Sequence, residues 1–321
     1  MRLTLDNILH TAYVFALPFF VWWSAPSAVV VCSLVLFSYL QAWGLALSKL
    51  LATPPTSKPI LETISASHFA EKVRWCLDRL DSFEYIEEVN CGTLSVIFRA
   101  LSVPRLLIRT GFSTSVIANS SDILRYVYIT SRPGSAVTDR LPASFLEPKS
   151  EAIQLEAQLD KQGRYLQLWA YSYALQLRNC RTCLRVWGLH DARIPAWQKA
   201  VLVVAYPLLR IFMMGAFPAS QWRTGRPKME AFLGDMETIL QDGRTSLLGP
   251  GCDRSYVDYT FAAIFALWVR PPLYGGKGGI GGALSMEHAP AAMLADMAAW
   301  RKEFPRVTAF VERLYAEERC P

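Results

Sequence analysis

A short apolar run that leads at once into a serine-capped helix constrains this chain more than any other stretch. Pro59-Ile60-Leu61-Glu62-Thr63-Ile64 reads as a strand, and the segment from Ser67 to Trp75 reads as the first turns of a helix. Phe69, Val73, Cys76, Leu77 and Leu80 recur at the spacing that lines one buried helical face, which assigns Lys72 and Arg74 to the exposed side. Ser67 stands at the N-terminus of that helix. A hydroxyl there caps free N–H groups, and the positive helix end favours an anion. The residues alone leave two roles for Ser67 open, an ordinary cap and an anion-holding hydroxyl.

The segments that follow extend the pattern. Glu84-Tyr85-Ile86-Glu87-Glu88-Val89 alternates as a second strand. Val103-Pro104 precedes the apolar run Leu106-Leu107-Ile108, and a proline opening a strand suits a fixed turn better than a ladder interior. Asn119-Ser120 closes another strand ahead of a helix bearing Ile123, Leu124 and Val127. Beyond Pro148 the pattern is helical. Leu155, Leu159, Gln162, Leu166, Trp169 and Tyr173 trace one side of a long helix. Ala196 to Phe217 is strongly apolar but interrupted by Lys199, Pro207 and Arg210, so it is expected to be a central helix of an all-α domain rather than a membrane span. Ser255 and Asp258 have capping-box spacing. Val307, Phe310, Val311 and Leu314 share one face after Phe304-Pro305.

This order of segments resembles the glutathione S-transferase family over roughly Lys58 to Tyr315. The resemblance implies an α/β thioredoxin-like domain followed by an all-α helical domain, with residues 58–130 binding glutathione and 150–318 forming the helical half. It implies that Ser67 donates to the glutathione sulfur and that Pro104 is cis, with Val103 presenting its backbone to the cysteinyl part. It further implies that Ser120, with Asn119, holds the γ-glutamyl end. An apolar second substrate would lie near Tyr165, Trp169 and Tyr173. Three positions depart from the family. Asn119 stands where a glutamate is usual, Arg99 is the nearest cation upstream of Val103-Pro104 where a lysine is often found, and His68 replaces a frequent proline. Three functions therefore stay open: a transferase acting on an apolar electrophile, a non-catalytic binding protein of the same fold, and a glutathione-dependent isomerase or reductase.

From Asn7 to Ser48 the sequence contains no Asp, Glu, Lys or Arg. That run is longer than the roughly 20 residues needed to cross a bilayer. Residues 1–51 are therefore expected to be a membrane anchor of one or two helices, broken near Ser24-Ala25-Pro26-Ser27. A cleavable signal peptide fits less well, because a stronger apolar span follows any cleavage point near Ala25 or Ala28. Residues 52–57 form a Pro-containing linker and 131–149 a second connection. The net charge of +6 is dispersed, without a basic run or nucleic-acid-binding motif. Seven irregularly spaced cysteines do not form a secreted disulfide framework, so the folded part is expected on a reducing side of the membrane. Cys180-Arg181-Thr182-Cys183 lies too late for a redox pair of a thioredoxin-like unit and reads as helix cysteines. The glycine-rich run 275–282 lacks the Gly-Lys-Ser/Thr order of a phosphate loop. The four histidines have no metal spacing, and no metal is expected. Glutathione is the expected co-substrate, and a homodimer is left open.

Overall fold

The computed structural model describes residues 27, 29–38, 58–80, 83–92, 103–110, 113–131, 143–275 and 289–319. The chain divides into two compact units. One comprises Met1–Ser57 with Ile108–Ser115, and the other Lys58–Leu107 with Val116–Pro321. In the first, the described part of the charge-free run is Ser27 and the apolar helix Val29–Ser38; the rest of the expected anchor and the linker 52–57 lie outside the described residues. Arg99 and most of the glycine-rich run also lie outside them.

From Lys58 onward the chain opens with β1 (Ile60–Thr63), α1 (His68–Asp78) and β2 (Ile86–Val89). β3 (Arg105–Thr110) and β4 (Ser113–Ala118) follow, then α2 (Ser120–Thr130). The strand order is β2-β1-β3-β4. β1 runs parallel to β2 and antiparallel to β3, so the sheet is mixed. The parallel pair requires a crossover, and α1 supplies it. Every residue of β1 is buried, as expected of a strand inside a covered sheet.

The helical body comprises α3 (Ser150–Ala174), α4 (Cys180–Val186), α5 (Ala196–Ala216), α6 (Ala219–Ile239), α7 (Tyr256–Val269), α8 (Ala291–Glu303) and α9 (Pro305–Glu318). A small mixed sheet followed by a helical body is the architecture that the resemblance implies. The centre of the helical body is α7, buried along its whole length because it is apolar on every side. It packs against α1, α3 and α9. Its start is set by the capping box read from the sequence. The Asp258 carboxylate accepts from the backbone N–H of Ser255 at 2.8 Å and of Leu247 at 2.7 Å. The face of α9 carrying Val307, Phe310, Val311 and Leu314 is buried as well.

Three expectations need correction. Lys72 and Arg74 are not on an exposed side: α1 is enclosed on nearly all faces, and Glu71, Lys72 and Arg74 are all buried. The stripe on α3 runs through Glu156, which is buried, while Leu155 is half-buried. The Ala196–Ala216 helix is not central. It buries only the stripe Gln198, Leu202, Tyr206, Leu209 and Met213. Among the described residues it is the one helix long and apolar enough to cross a membrane.

Candidate active site at one end of the sheet

Register and topology bring the candidate residues together. Glu62 pairs with Arg105 across β1 and β3, so Val103-Pro104 lies beside the end of β1 that leads to Ser67. Only residues 111 and 112 join β3 to β4, and a connection that short joins antiparallel strands. The far end of β4, and with it Asn119-Ser120, therefore returns to the same end of the sheet. The Val103-Pro104 peptide is cis.

Ser67 is the N-cap of α1. Its Oγ accepts from the Ala70 N–H at 3.2 Å, and its backbone is extended at φ −75 and ψ 115. The bond uses an oxygen lone pair and leaves the hydroxyl proton available to a partner outside the helix. The two roles left open for Ser67 are thus chemically compatible. Ser65, two residues earlier, is buried and donates to the Asp191 carboxylate from the α4–α5 connection. Burial alone would raise the Asp191 carboxyl. Hydrogen bonds from Arg193 and Ser65 instead hold it down at about 2.

Asn119 has φ 79 and ψ 129, a positive-φ conformation that costs a non-glycine residue free energy. Its Oδ1 accepts from the Ser121 N–H at 3.3 Å, which caps α2. Ser120 is buried behind it. Beneath this turn lies an ionic cluster. Lys72 Nζ donates to Glu156 Oε1 at 2.6 Å and to Ser121 Oγ at 3.2 Å, and Ser121 Oγ donates to the same carboxylate at 2.6 Å. Tyr256 OH reaches Glu156 Oε2 at 3.3 Å. Burial would lift the Glu156 carboxyl, but Lys72, Ser121 and Arg125 hold it below the usual carboxylate range. Side chains from three other helices, α1, α3 and α7, thus meet beneath the turn that starts α2.

These supporting groups were missed in the sequence, although one signal was present. Lys72, although assigned above to the exposed side, lies three residues from Phe69 and four from Cys76 and so borders the face read as buried. Ser65, Ser121, Glu156 and Asp191 have no comparable local signal, because their partners are distant in the chain.

His68 faces the interior beside Phe69, with ring centroids 4.2 Å apart. Its Nε2 is buried without a hydrogen-bond partner of good geometry, and burial pushes the imidazole down to about 3, opposed by the Gly163 backbone. The ring is therefore neutral near pH 7. Of the aromatic residues expected near a second substrate, Trp169 is buried in the core while Tyr165 and Tyr173 are half-buried. Trp169 is fully buried, lies tilted against Trp300 with centroids 5.1 Å apart, and donates to Asp296 at 3.0 Å. Tyr173 OH donates to the same carboxylate at 2.7 Å, and Tyr165 packs beside Gly225. Trp169 belongs to the helical core and cannot form a wall against a substrate.

Cys183 is buried on α4 and Cys180 half-buried. Burial pushes the Cys183 thiol up to about 12, far from a reactive thiolate. Among the described residues no group of histidine, cysteine, aspartate and glutamate is arranged to hold a metal.

No protein-family model matches the chain, and no curated protein matches it. Solved structures do. A glutathione S-transferase of Methylobacterium radiotolerans, in complex with glutathione sulfonate, is 17% identical over 81% of this chain and 92% of its own, with a TM-score of 0.44. A glutathione transferase family member of Pseudomonas fluorescens with two glutathione bound is 14% identical over 84% of this chain and 93% of its own, at 0.45. A rice transferase in complex with glutathione is 15% identical over 83% and 92%, at 0.40.

Proposed function

We propose that this chain is a membrane-anchored, glutathione transferase-like protein that binds glutathione at the end of the sheet bearing Ser67, Val103-Pro104 and Asn119-Ser120. One observation carries the reading: two helix N-termini, capped by Ser67 and Asn119, open at the same end of one sheet. Helix N-termini favour anions, and glutathione carries two carboxylates and an ionisable thiol. In this reading Ser67 donates its free hydroxyl proton to the sulfur, the Val103 backbone orients the cysteinyl unit, and Ser120 holds the γ-glutamyl carboxylate. A free thiol has a pKa of about 8.5, so stabilising the thiolate raises the nucleophile population at neutral pH. The thiolate attacks an electrophilic carbon of an apolar substrate, and the carbon–sulfur bond forms as the bond to a leaving group breaks and that group departs with its electron pair. The uncharged run within residues 1–51 supplies the anchor, with the folded domain on a reducing side.

A second reading, a binding protein without turnover, draws on Asn119. Its side chain is occupied in capping α2, and it brings no carboxylate to the ammonium of a γ-glutamyl group.

The test is calorimetric titration of the full-length chain with glutathione, followed by conjugation rates against pH for wild type and Ser67→Ala. Ser67→Ala is expected to retain binding, raise the apparent pKa of bound thiol and slow conjugation by about ten- to a hundred-fold, the equivalent of ~1.5–3 kcal/mol for a bond to a charged group. A wild-type chain that binds no glutathione overturns the transferase reading and leaves the binding protein of the same fold. Binding without conjugation establishes the second.

A further inference from the structure

We propose that α5 lies in the plane of an anionic membrane surface, with its outward apolar face in the headgroup–acyl boundary. The observation is the two-sidedness of this helix. Its buried stripe holds it to the helical body, while Trp197, Val201, Val204, Leu208 and Ile211 form a continuous strip on the opposite side at about 100° per residue. Val204 is 82% exposed, Leu208 75% and Ile211 65%. An exposed row of large aliphatic side chains this long marks an interaction surface.

Charge identifies the occupant. Residues 161–229 contain eleven Lys and Arg against a single acid, Asp191, although the whole chain nets only +6. Asp191 is itself paired with Arg193, which also meets Glu87, and Arg226 is paired with Glu230 and Asp296, so the surplus over this region rests on the other nine cations. The α5 helix carries Lys199 and Arg210 and no acid. The segment packed against it continues the pattern, with Leu177 70% exposed and Arg178 and Arg181 exposed on and before α4. An apolar face bordered by cations, with a tryptophan at one helix end, is the pattern of an interfacial helix on anionic lipid. A second copy of the same cationic face would repel it across a two-fold contact. A crossing orientation is opposed by the buried stripe, which places one side of α5 against folded protein rather than lipid. The inference uses only α5 and its surroundings and is separate from the N-terminal anchor.

The test places a photoreactive residue in the face, Val204→p-benzoylphenylalanine, in the full-length chain bound to phosphatidylcholine vesicles with and without phosphatidylglycerol. Irradiation followed by mass spectrometry identifies what has been captured. Phospholipid adducts at position 204 are expected with phosphatidylglycerol, several-fold fewer without it, and fewer again at high salt. Arg178→Gln with Arg181→Gln, both at exposed positions, is expected to keep the wild-type melting temperature and lower the adduct yield by about 25-fold, at roughly five-fold for each of the two cations. A protein adduct overturns the proposal, whether to a second copy or to residues 7–48 of the same chain. So does equal lipid capture on neutral and anionic vesicles, or no capture while the chain is vesicle-bound.

Discussion

His68 shows how one side chain couples this fold to pH. In an unfolded chain it takes up a proton near pH 6.5, whereas in the folded protein burial holds it neutral to about 3. A base whose folded pKa is lowered contributes stability above its unfolded pKa, and that contribution is lost as pH falls. Stability should therefore decline below about pH 6.5 by roughly 1.4 kcal/mol per pH unit from this group alone, continuing toward pH 3. His68→Gln should flatten that slope while costing some stability at neutral pH. Urea unfolding of both proteins at pH 7, 6, 5 and 4 checks it, and parallel curves would show that His68 is not the group that titrates. Ser67, one residue earlier, is the contrasting case. It needs only to cap a helix for the fold, and its free proton is what the function would use.

At the scale of elements, α3 meets its neighbours through glycines where a side chain would collide. A Cβ on Gly163 would stand 2.7 Å from Phe69 Cζ and 2.9 Å from His68 Nε2, so α1 and α3 approach closely there because residue 163 has no side chain. Gly225 of α6 gives Tyr165 the same room, at 2.7 Å. Alanine inside a helix is ordinarily about 1 kcal/mol better than glycine. At Gly163 the collision should outweigh that gain and leave Gly163→Ala less stable by about 1–3 kcal/mol. Thermal melting is the measurement, and a stabilised variant would mean that the two helices can separate without loss. Because α1 carries Ser67, the same variant should also disturb the sheet end proposed to bind glutathione.

At the scale of the whole second unit, the sheet half and the helical half are joined by charges sent inward from α1. Glu71 pairs with Arg74 and with Arg319, whose Nε lies 3.0 Å from Glu71 Oε1, and it accepts from the Gly275 N–H at 3.1 Å and from Tyr315 OH at 3.4 Å. Arg319 also reaches Asp78 at 2.7 Å and lies 5.6 Å from the Trp75 ring centre. On β2, Glu87 accepts from Arg74 and from Thr63. Removing one member leaves a buried charge short of a partner. Arg319→Met should cost about 3 kcal/mol, and Glu71→Gln added to it should recover part of the loss. Chemical denaturation of the single and double variants decides this. Additive losses would show that the two groups are not coupled.

What the sequence determined by itself was local. The strand–serine–helix unit at Ser67, the Val103-Pro104 step, the Ser255–Asp258 capping box and the apolar face of α9 are all set by residues within a few positions of one another. Their physical causes are periodicity, capping and turn chemistry, which act at short range. Tertiary structure decided which polar groups go inside. Lys72 and Arg74 looked solvated because charges usually are, and their burial, like that of Glu71, depends on Glu156, Glu87 and Arg319, distant in the chain. Composition likewise made Ala196–Ala216 look central, and the family resemblance made Trp169 look available to a substrate. A helix shows how apolar it is, but only its neighbours decide how much of that surface they cover. In this chain they covered Trp169 completely and left Val204, Leu208 and Ile211 exposed.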